Sequence, residues 1–171
     1  MSEAPFRIEP LSDHDRSEFD CGVDALNAYL ARQVGQDRRR RMSFCFVAVE
    51  QATRRVAGYY TLSATGIELS DLPPDIQKRL PRYPSVPAVR IGRLAVDQRY
   101  RGQRLGGALL FDAIQRTVAS DIAAFAVIVD AKDDIAAAFY SHFGFQPLTN
   151  KPLKLFLPIG EALRELAFQR P

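Results

Sequence analysis

The chain has 171 residues, 47% of them hydrophobic and 25% charged, with 23 basic and 20 acidic side chains for a formal net charge of +3. That length fits one domain with a sizeable core, and the composition excludes a disordered or fibrous chain. Apolar runs fall far short of the roughly 20 residues a bilayer span needs. The leading MSEAPFRIEP has neither a basic nor an apolar signal region. Two cysteines, Cys21 and Cys45, cannot form a disulfide scaffold, and with His14 and His142 they show no metal-ligand spacing. The expectation is a single cytoplasmic, metal-free domain over residues 1–171.

Phe6–Leu11 reads as a first strand. Phe19-Asp20-Cys21-Gly22 then leads into a helix with apolar residues at Leu26, Tyr29, Leu30 and Val34. The run Arg38-Arg39-Arg40-Arg41 follows. Ser43–Glu50 and Val56–Leu69 read as strands of a hairpin around the polar turn Gln51–Arg55. Ser70–Pro87, with five prolines and a helical piece around Asp75–Leu80, reads as a structured surface excursion. Val89–Val96 is a strand, Asp97–Gly107 a glycine-containing loop and Gly106–Ser120 a helix. A buried strand, Phe125–Val129, and a helix, Asp133–Phe143, follow; Gly144-Phe145 opens a last strand region reaching Leu153–Leu157. This order predicts an α+β fold, a mixed sheet with helices on its faces.

The most specific local pattern runs from Arg93 to Leu110: strand, basic glycine loop, helix. Amides at a helix N-terminus lack intrahelical partners and can cradle phosphate oxygens, helped by the helix dipole. Gly102, Gly106 and Gly107 permit close backbone approach, and Arg99, Arg101 and Arg104 add positive charge. No GKS or GKT is present, and the spacing does not match a dinucleotide fingerprint. By itself the loop is equally readable as an ordinary strand-to-helix turn.

The stretch Arg101-Gly102-Gln103-Arg104-Leu105-Gly106 resembles motif A of the GNAT acetyltransferases, [Q/R]-x-x-G-x-[G/A], with Arg104 in place of the first motif glycine. Downstream, Asp133–Phe145 resembles the closing element of that family, a helix carrying A-x-x-F-Y followed by GF. The resemblance covers about residues 6–157 and implies the GNAT fold: a mostly antiparallel twisted sheet, splayed at an acetyl-CoA site. It assigns that site to Leu94, Ala95, Val96, Arg101, Gly102, Gln103, Arg104, Leu105, Gly106, Gly107 and Asp133, with no metal. It makes Tyr140 the general acid for the leaving thiolate; without it, Tyr140 reads as an amphipathic side chain at a helix edge.

Helical spacing predicts that Ile135, Phe139 and Phe143 face the core and puts His142 on the same side. His14 sits in a polar loop with no visible partner. The strand before the loop carries no carboxylate, and Glu68 and Asp97 are the nearest candidates for a base. An α-amine, with a pKa near 7.7–8.0, needs less help to lose its proton than a lysine does, so the missing base favours such a substrate.

Three further stretches, the Phe19–Gly22 segment with Leu26 and Tyr29-Leu30, Gly58–Leu62, and Ile91–Asp97, resemble the GNAT toxins of type II toxin–antitoxin systems. That resemblance implies acetylation of the α-amine of aminoacyl-tRNA, blocked translation, a ribbon-helix-helix antitoxin and a homodimer. The charge distribution fits an RNA substrate: residues 32–104 hold 15 basic and 6 acidic side chains. Arg38, Arg39, Arg40, Arg41, Arg79, Arg82, Arg90 and Arg93 are candidates for its backbone, with Tyr83 a candidate stacking residue. A solvated or antitoxin-binding face is the other reading of the four-arginine run. A GNAT enzyme acting on a small amine or a protein N-terminus, and a basic nucleic-acid-binding module on a GNAT scaffold, are the alternative functions.

Overall fold

The computed structural model describes residues 4–168. Its strands are β1 (Phe6–Pro10), β2 (Phe44–Glu50), β3 (Val56–Glu68), β4 (Ser85–Val96), β5 (Ala126–Asp130), β6 (Gln146–Leu148) and β7 (Lys151–Pro158). They form one seven-stranded sheet in the order β1-β2-β3-β4-β5-β7-β6. The β1–β2, β2–β3, β5–β7 and β6–β7 pairs are antiparallel, and β4–β5 is parallel. Pairing of β4 with β5 runs from Ala88↔Ala126 to Ile91↔Val129, whereas β4 continues to Val96. The helices are α1 (Asp24–Ala28), α2 (Val34–Arg39), α3 (Pro74–Gln77), α4 (Leu105–Val118), α5 (Asp134–His142) and α6 (Ile159–Phe168). This is the expected mixed α+β architecture.

Two compact units divide the chain, residues 1–63 with 92–113, and residues 64–91 with 114–171. The first has a core of Leu30, Val34, Val47, Tyr59 and their neighbours. Tyr59 is fully buried, edge-on to Phe19 and stacked at 6.3 Å on Tyr29, and its hydroxyl donates to the Leu26 carbonyl at 2.7 Å. The periodicity through Leu26, Tyr29, Leu30 and Val34 does form a helix, but α1 and α2 are joined by a π-helical turn, Tyr29–Gln33. Gly58 explains part of the hairpin's composition. A Cβ there would lie 2.9 Å from Leu109 Cδ1 and 3.0 Å from the Ala95 carbonyl. Only glycine lets β3, α4 and the end of β4 approach this closely.

In the second unit, Ile67, Leu72, Ile76, Val86, Ala126, Ile128 and Phe156 form the core. The proline-rich excursion is anchored by Leu72 and Ile76, both buried, each contributing about 2 kcal/mol of apolar burial. Its helical piece is shorter and earlier than expected, at Pro74–Gln77, with Pro at the helix start. Strand β4 begins at Ser85 and includes Pro87; near a strand start, proline's fixed φ is compatible with extended backbone, and its carbonyl still accepts from the Phe125 amide at 2.8 Å. The final strand region is a hairpin of β6 and β7, broken at Asn150 with φ 61, and α6 follows where no helix was expected.

Candidate active site

The glycine loop is held from below by one carboxylate. Asp97 follows β4 and caps the 3-10 turn Gln98–Tyr100. Its Oδ1 accepts from the Arg99 amide at 2.8 Å and Nε at 3.1 Å; its Oδ2 accepts from the Asp20 amide at 3.0 Å and Arg99 Nη2 at 3.1 Å. Arg99 also donates to the Glu18 carbonyl at 2.6 Å, and Arg101 to the Cys21 carbonyl at 3.1 Å. The Phe19–Gly22 signature therefore acts as the loop's seat. Gly22 has φ +85, and a Cβ there would come 2.8 Å from Gln98 Nε2. Asp20 in turn accepts from the Gly22 amide and Asn27, each at 2.9 Å. The charge of Arg99 is thus committed to Asp97 and Glu18, rather than added to the loop as expected.

Above this seat, Arg101, Gly102, Gln103 and Arg104 are exposed, and α4 starts at Leu105. Ala108 donates to the Arg104 carbonyl, so the amides of Leu105, Gly106 and Gly107 precede the first intrahelical donor. Gly102 has φ +80 with open space where a Cβ would point. Arg104 has φ 60: arginine adopts the left-handed conformation that the motif's glycine would take freely. Such a conformation costs an L-residue about 1–2 kcal/mol. Arg104→Gly is accordingly expected to raise the melting temperature by about 2–4 °C, with KM for acetyl-CoA changed only a few-fold because the contact is made by backbone. Thermal melts and saturation kinetics check both.

Helix α5 is capped by Asp133, whose carboxylate accepts from the Ala136 amide at 2.8 Å. Tyr140 is buried, its ring 5.1 Å from Phe139 and 5.6 Å from Phe145. Its hydroxyl has no hydrogen-bond partner among the described residues, and burial pushes its pKa up to about 12. The phenol is therefore neutral, and a proton donor, throughout the physiological range.

The expected phase of α5 is corrected in two places. Ile135 is 83% exposed, and His142 is exposed rather than core-facing. The buried stripe is centred on Tyr140, and at about 100° per residue Ile135 lies roughly 140° and His142 roughly 200° around the helix from it. His14 does have a partner: Ser12 donates its amide to Nδ1 at 3.1 Å, which leaves Nε2–H to donate to Glu9 at 2.7 Å.

No base is evident among the carboxylates singled out. Glu68 is exposed at the end of β3. Burial alone would raise the Asp97 pKa, but hydrogen bonds from Arg99 and the Asp20 amide outweigh it and hold the carboxyl below the usual range, making it a weak base.

The predicted basic surface divides by environment. Arg38, Arg39, Arg40, Arg41, Arg79 and Arg82 are exposed, as is Tyr83. Arg90 is half-buried, 3.9 Å from Asp130 and 3.5 Å from the Thr65 hydroxyl. Arg93 lies 3.6 Å over the ring of Tyr29, whose hydroxyl donates to Asp37 at 2.8 Å. Sequence reasoning missed this Arg93–Tyr29–Asp37 chain, which joins β4 and α2 through the first residue of the π-helical turn. Arginine on a strand that is otherwise nearly all apolar was the available signal.

Leu94 and Val96 are half-buried and Ala95 buried at the end of β4. With the uncommitted α4 amides, the open space at Gly102 and two exposed loop arginines, this end of the first unit suits a pyrophosphate with an extended apolar arm. Among the described residues, no group of His, Cys, Asp or Glu could hold a metal, and no helix is long and apolar enough to cross a membrane.

Comparison with known proteins agrees with this chemistry. The chain is 34% identical over 164 residues to a Sinorhizobium fredii protein named "Probable toxin TacT", across 90% of this chain and 91% of that one. It is 35% identical over 161 residues to the "tRNA-acetylating toxin" of Mycobacterium tuberculosis, across 93% of each. AtaT complexed with acetyl-methionyl-tRNAfMet superposes with a TM-score of 0.87 at 32% identity, covering 96% of this chain and 99% of that one. A tyrosine-to-phenylalanine mutant of AtaT, bound to the C-terminus of the antitoxin AtaR and acetyl-CoA, superposes at 0.81 and 28% identity, covering 98% and 100%. The "Acetyltransferase (GNAT) domain" family matches residues 41–147, the span from the end of the arginine run through the glycine loop and Tyr140, and this chain belongs to that family.

Proposed function

We propose that the protein transfers an acetyl group from acetyl-CoA to the α-amine of an aminoacyl-tRNA, acting in the cytoplasm as a translation-blocking toxin within a single catalytic domain. The likeness to AtaT in complex with acetyl-methionyl-tRNAfMet carries the reading, supported by the "tRNA-acetylating toxin" relative. Acetyl-CoA would rest its pyrophosphate on the amides of 102–107, with Arg101 and Arg104 adding charge, and lay its pantetheine along Leu94–Val96. Bound there, it supplies a thioester as acetyl donor. Asp133 serves the site through the cap it places on α5, the helix that carries Tyr140.

The substrate amine nitrogen forms the new bond to the acetyl carbon as the C–S bond breaks. Tyr140 donates its phenolic proton to the departing sulfur and is reprotonated from solvent, which takes up the proton lost by the amine. An α-amine, much of it already neutral near pH 7.7–8.0, suits a site whose nearest carboxylate, Asp97, is held low. Arg38, Arg39, Arg40, Arg41, Arg79 and Arg82 provide positive charge for the RNA backbone, while Arg90 and Arg93 shape the surface through their packing. A ribbon-helix-helix antitoxin is the proposed neutralising partner, by analogy with the AtaT–AtaR complex.

Incubation with labelled acetyl-CoA and pools of charged and uncharged tRNA tests this. Label is expected in charged tRNA alone, and to be released with the amino acid on mild alkaline hydrolysis of the ester. Rapid labelling of free small amines, with charged tRNA untouched, would sink the reading in favour of a small-molecule acetyltransferase.

A further inference from the structure

The end of α2 sets an exposed aromatic ring beside the arginine run, a pairing that backbone charge alone leaves unused. Arg41 amide donates to the Arg38 carbonyl at 3.1 Å and Met42 amide to the Asp37 carbonyl at 2.9 Å. This is a Schellman closure, and Arg41, with φ 56, occupies the left-handed position that strongly favours glycine. From there Arg41 Cζ stands 5.1 Å from the centroid of Phe44. Phe44 is 44% exposed and Met42 is 65% exposed. Arg38, Arg39 and Arg40 are exposed immediately before them. A left-handed arginine, an exposed aromatic, a thioether and three further positive charges thus meet on one short segment.

We infer that Arg41 and Phe44 form a stacking platform for an unpaired base of the RNA substrate, with Arg38–Arg40 holding the adjoining phosphates. This rests on the tRNA reading above and identifies where the single-stranded end of the substrate is gripped. The chemistry favours RNA over other partners. Unstacked bases bind on aromatic faces and guanidinium planes, a mode closed to duplex bases, and the arginine run supplies the matching backbone charge. The carboxylate nearest to the run in sequence, Asp37, accepts from the Tyr29 hydroxyl at 2.8 Å and from Gln33 at 3.3 Å, so it is turned to the helix side.

The test uses the full chain with uncharged tRNA, a single-stranded RNA hexamer ending in CCA, and charged tRNA in the acetylation assay. Phe44→Leu keeps apolar bulk without the ring. It is expected to weaken binding of both RNAs about 5- to 100-fold and to raise KM for charged tRNA equally, with kcat and the salt dependence unchanged. Phe44→Trp is expected to retain binding. Arg41→Gly relieves the left-handed strain and is expected to raise the melting temperature by about 2–4 °C while weakening RNA binding; a merely structural role would not separate the two. Wild-type RNA affinity in Phe44→Leu overturns the platform while leaving tRNA acetylation standing. So does an effect confined to sedimentation, which marks a contact between copies, or to antitoxin binding, which marks a protein-docking face. Should charged tRNA prove not to be a substrate, hexamer binding still decides: no binding by the wild type overturns the platform as well.

Discussion

Replacing Tyr140 by Phe is expected to lower kcat for acetyl transfer by about 10²- to 10⁴-fold, the range for loss of a positioned general acid, with KM for acetyl-CoA little changed. The substitution removes one oxygen that has no hydrogen-bond partner among the described residues, and it keeps the ring contacts with Phe139 and Phe145. Folding should therefore be untouched, and a melting temperature within about 1 °C of wild type separates lost chemistry from lost structure. The pH dependence is the sharper readout. Burial raises the phenol to about 12, so it keeps its proton at every pH where the enzyme works. The kcat/KM of the wild type should rise as the substrate α-amine deprotonates, near 7.7–8.0, and stay level to beyond pH 10. A descending limb near neutral pH would assign the acid to another group. The variant should keep the rising limb, which belongs to the substrate, at a far lower plateau.

The parts of this site that depend on chain order and residue type were legible before any coordinates. Alternating and β-branched runs located β2, β3 and β5, because a half-buried pleat leaves a period-two or apolar trace. The glycine loop and the helices α4 and α5 that follow it were visible for the same kind of reason: glycines, a basic run and a 3.6-residue stripe are local. Phase and partnership were harder. Ile135, Phe139 and Phe143 share a spacing of four, yet the buried face of α5 is centred on Tyr140, because Phe145 beyond the helix selects which stripe is covered. The same shift exposes His142. His14 meets Glu9 across a turn that no periodicity describes. Backbone conformation at Arg41 and Arg104 was equally hidden, since a left-handed arginine leaves no compositional mark; glycine would have announced both turns. The role of Asp20 and Gly22 as a seat for the loop depends on Asp97 and Gln98, some 77 residues further on, as the Asp20–Asp97 bond shows.

That seat makes Asp97 the second position of large effect. Asp97→Ala is expected to destabilise the protein by about 3 kcal/mol, because it takes the acceptor from the part-buried Asp20 and Arg99 amide bonds and from the Arg99 guanidinium, at roughly 1 kcal/mol for each. For a chain of this size that lowers the melting temperature by about 10 °C. The Arg99 side chain is 39% exposed while Asp97 is 1% exposed, so the freed guanidinium can reach water, and the larger penalty of a stranded buried charge does not apply. Acid provides the discriminating condition. The folded-state pKa of Asp97 lies below its unfolded value near 3.9. Its contribution is therefore complete above about pH 4 and disappears as pH falls through the folded value. The gap in stability between wild type and Asp97→Ala should be full at pH 7 and narrow in denaturant melts below pH 3. A gap independent of pH would mean that Asp97 acts by shape alone. Because Asp97 fixes the turn from which the glycine loop rises, the variant should also show a raised KM for acetyl-CoA at temperatures where it is still folded. Asp97→Asn, which keeps one accepting oxygen, should lie between the two in both stability and KM.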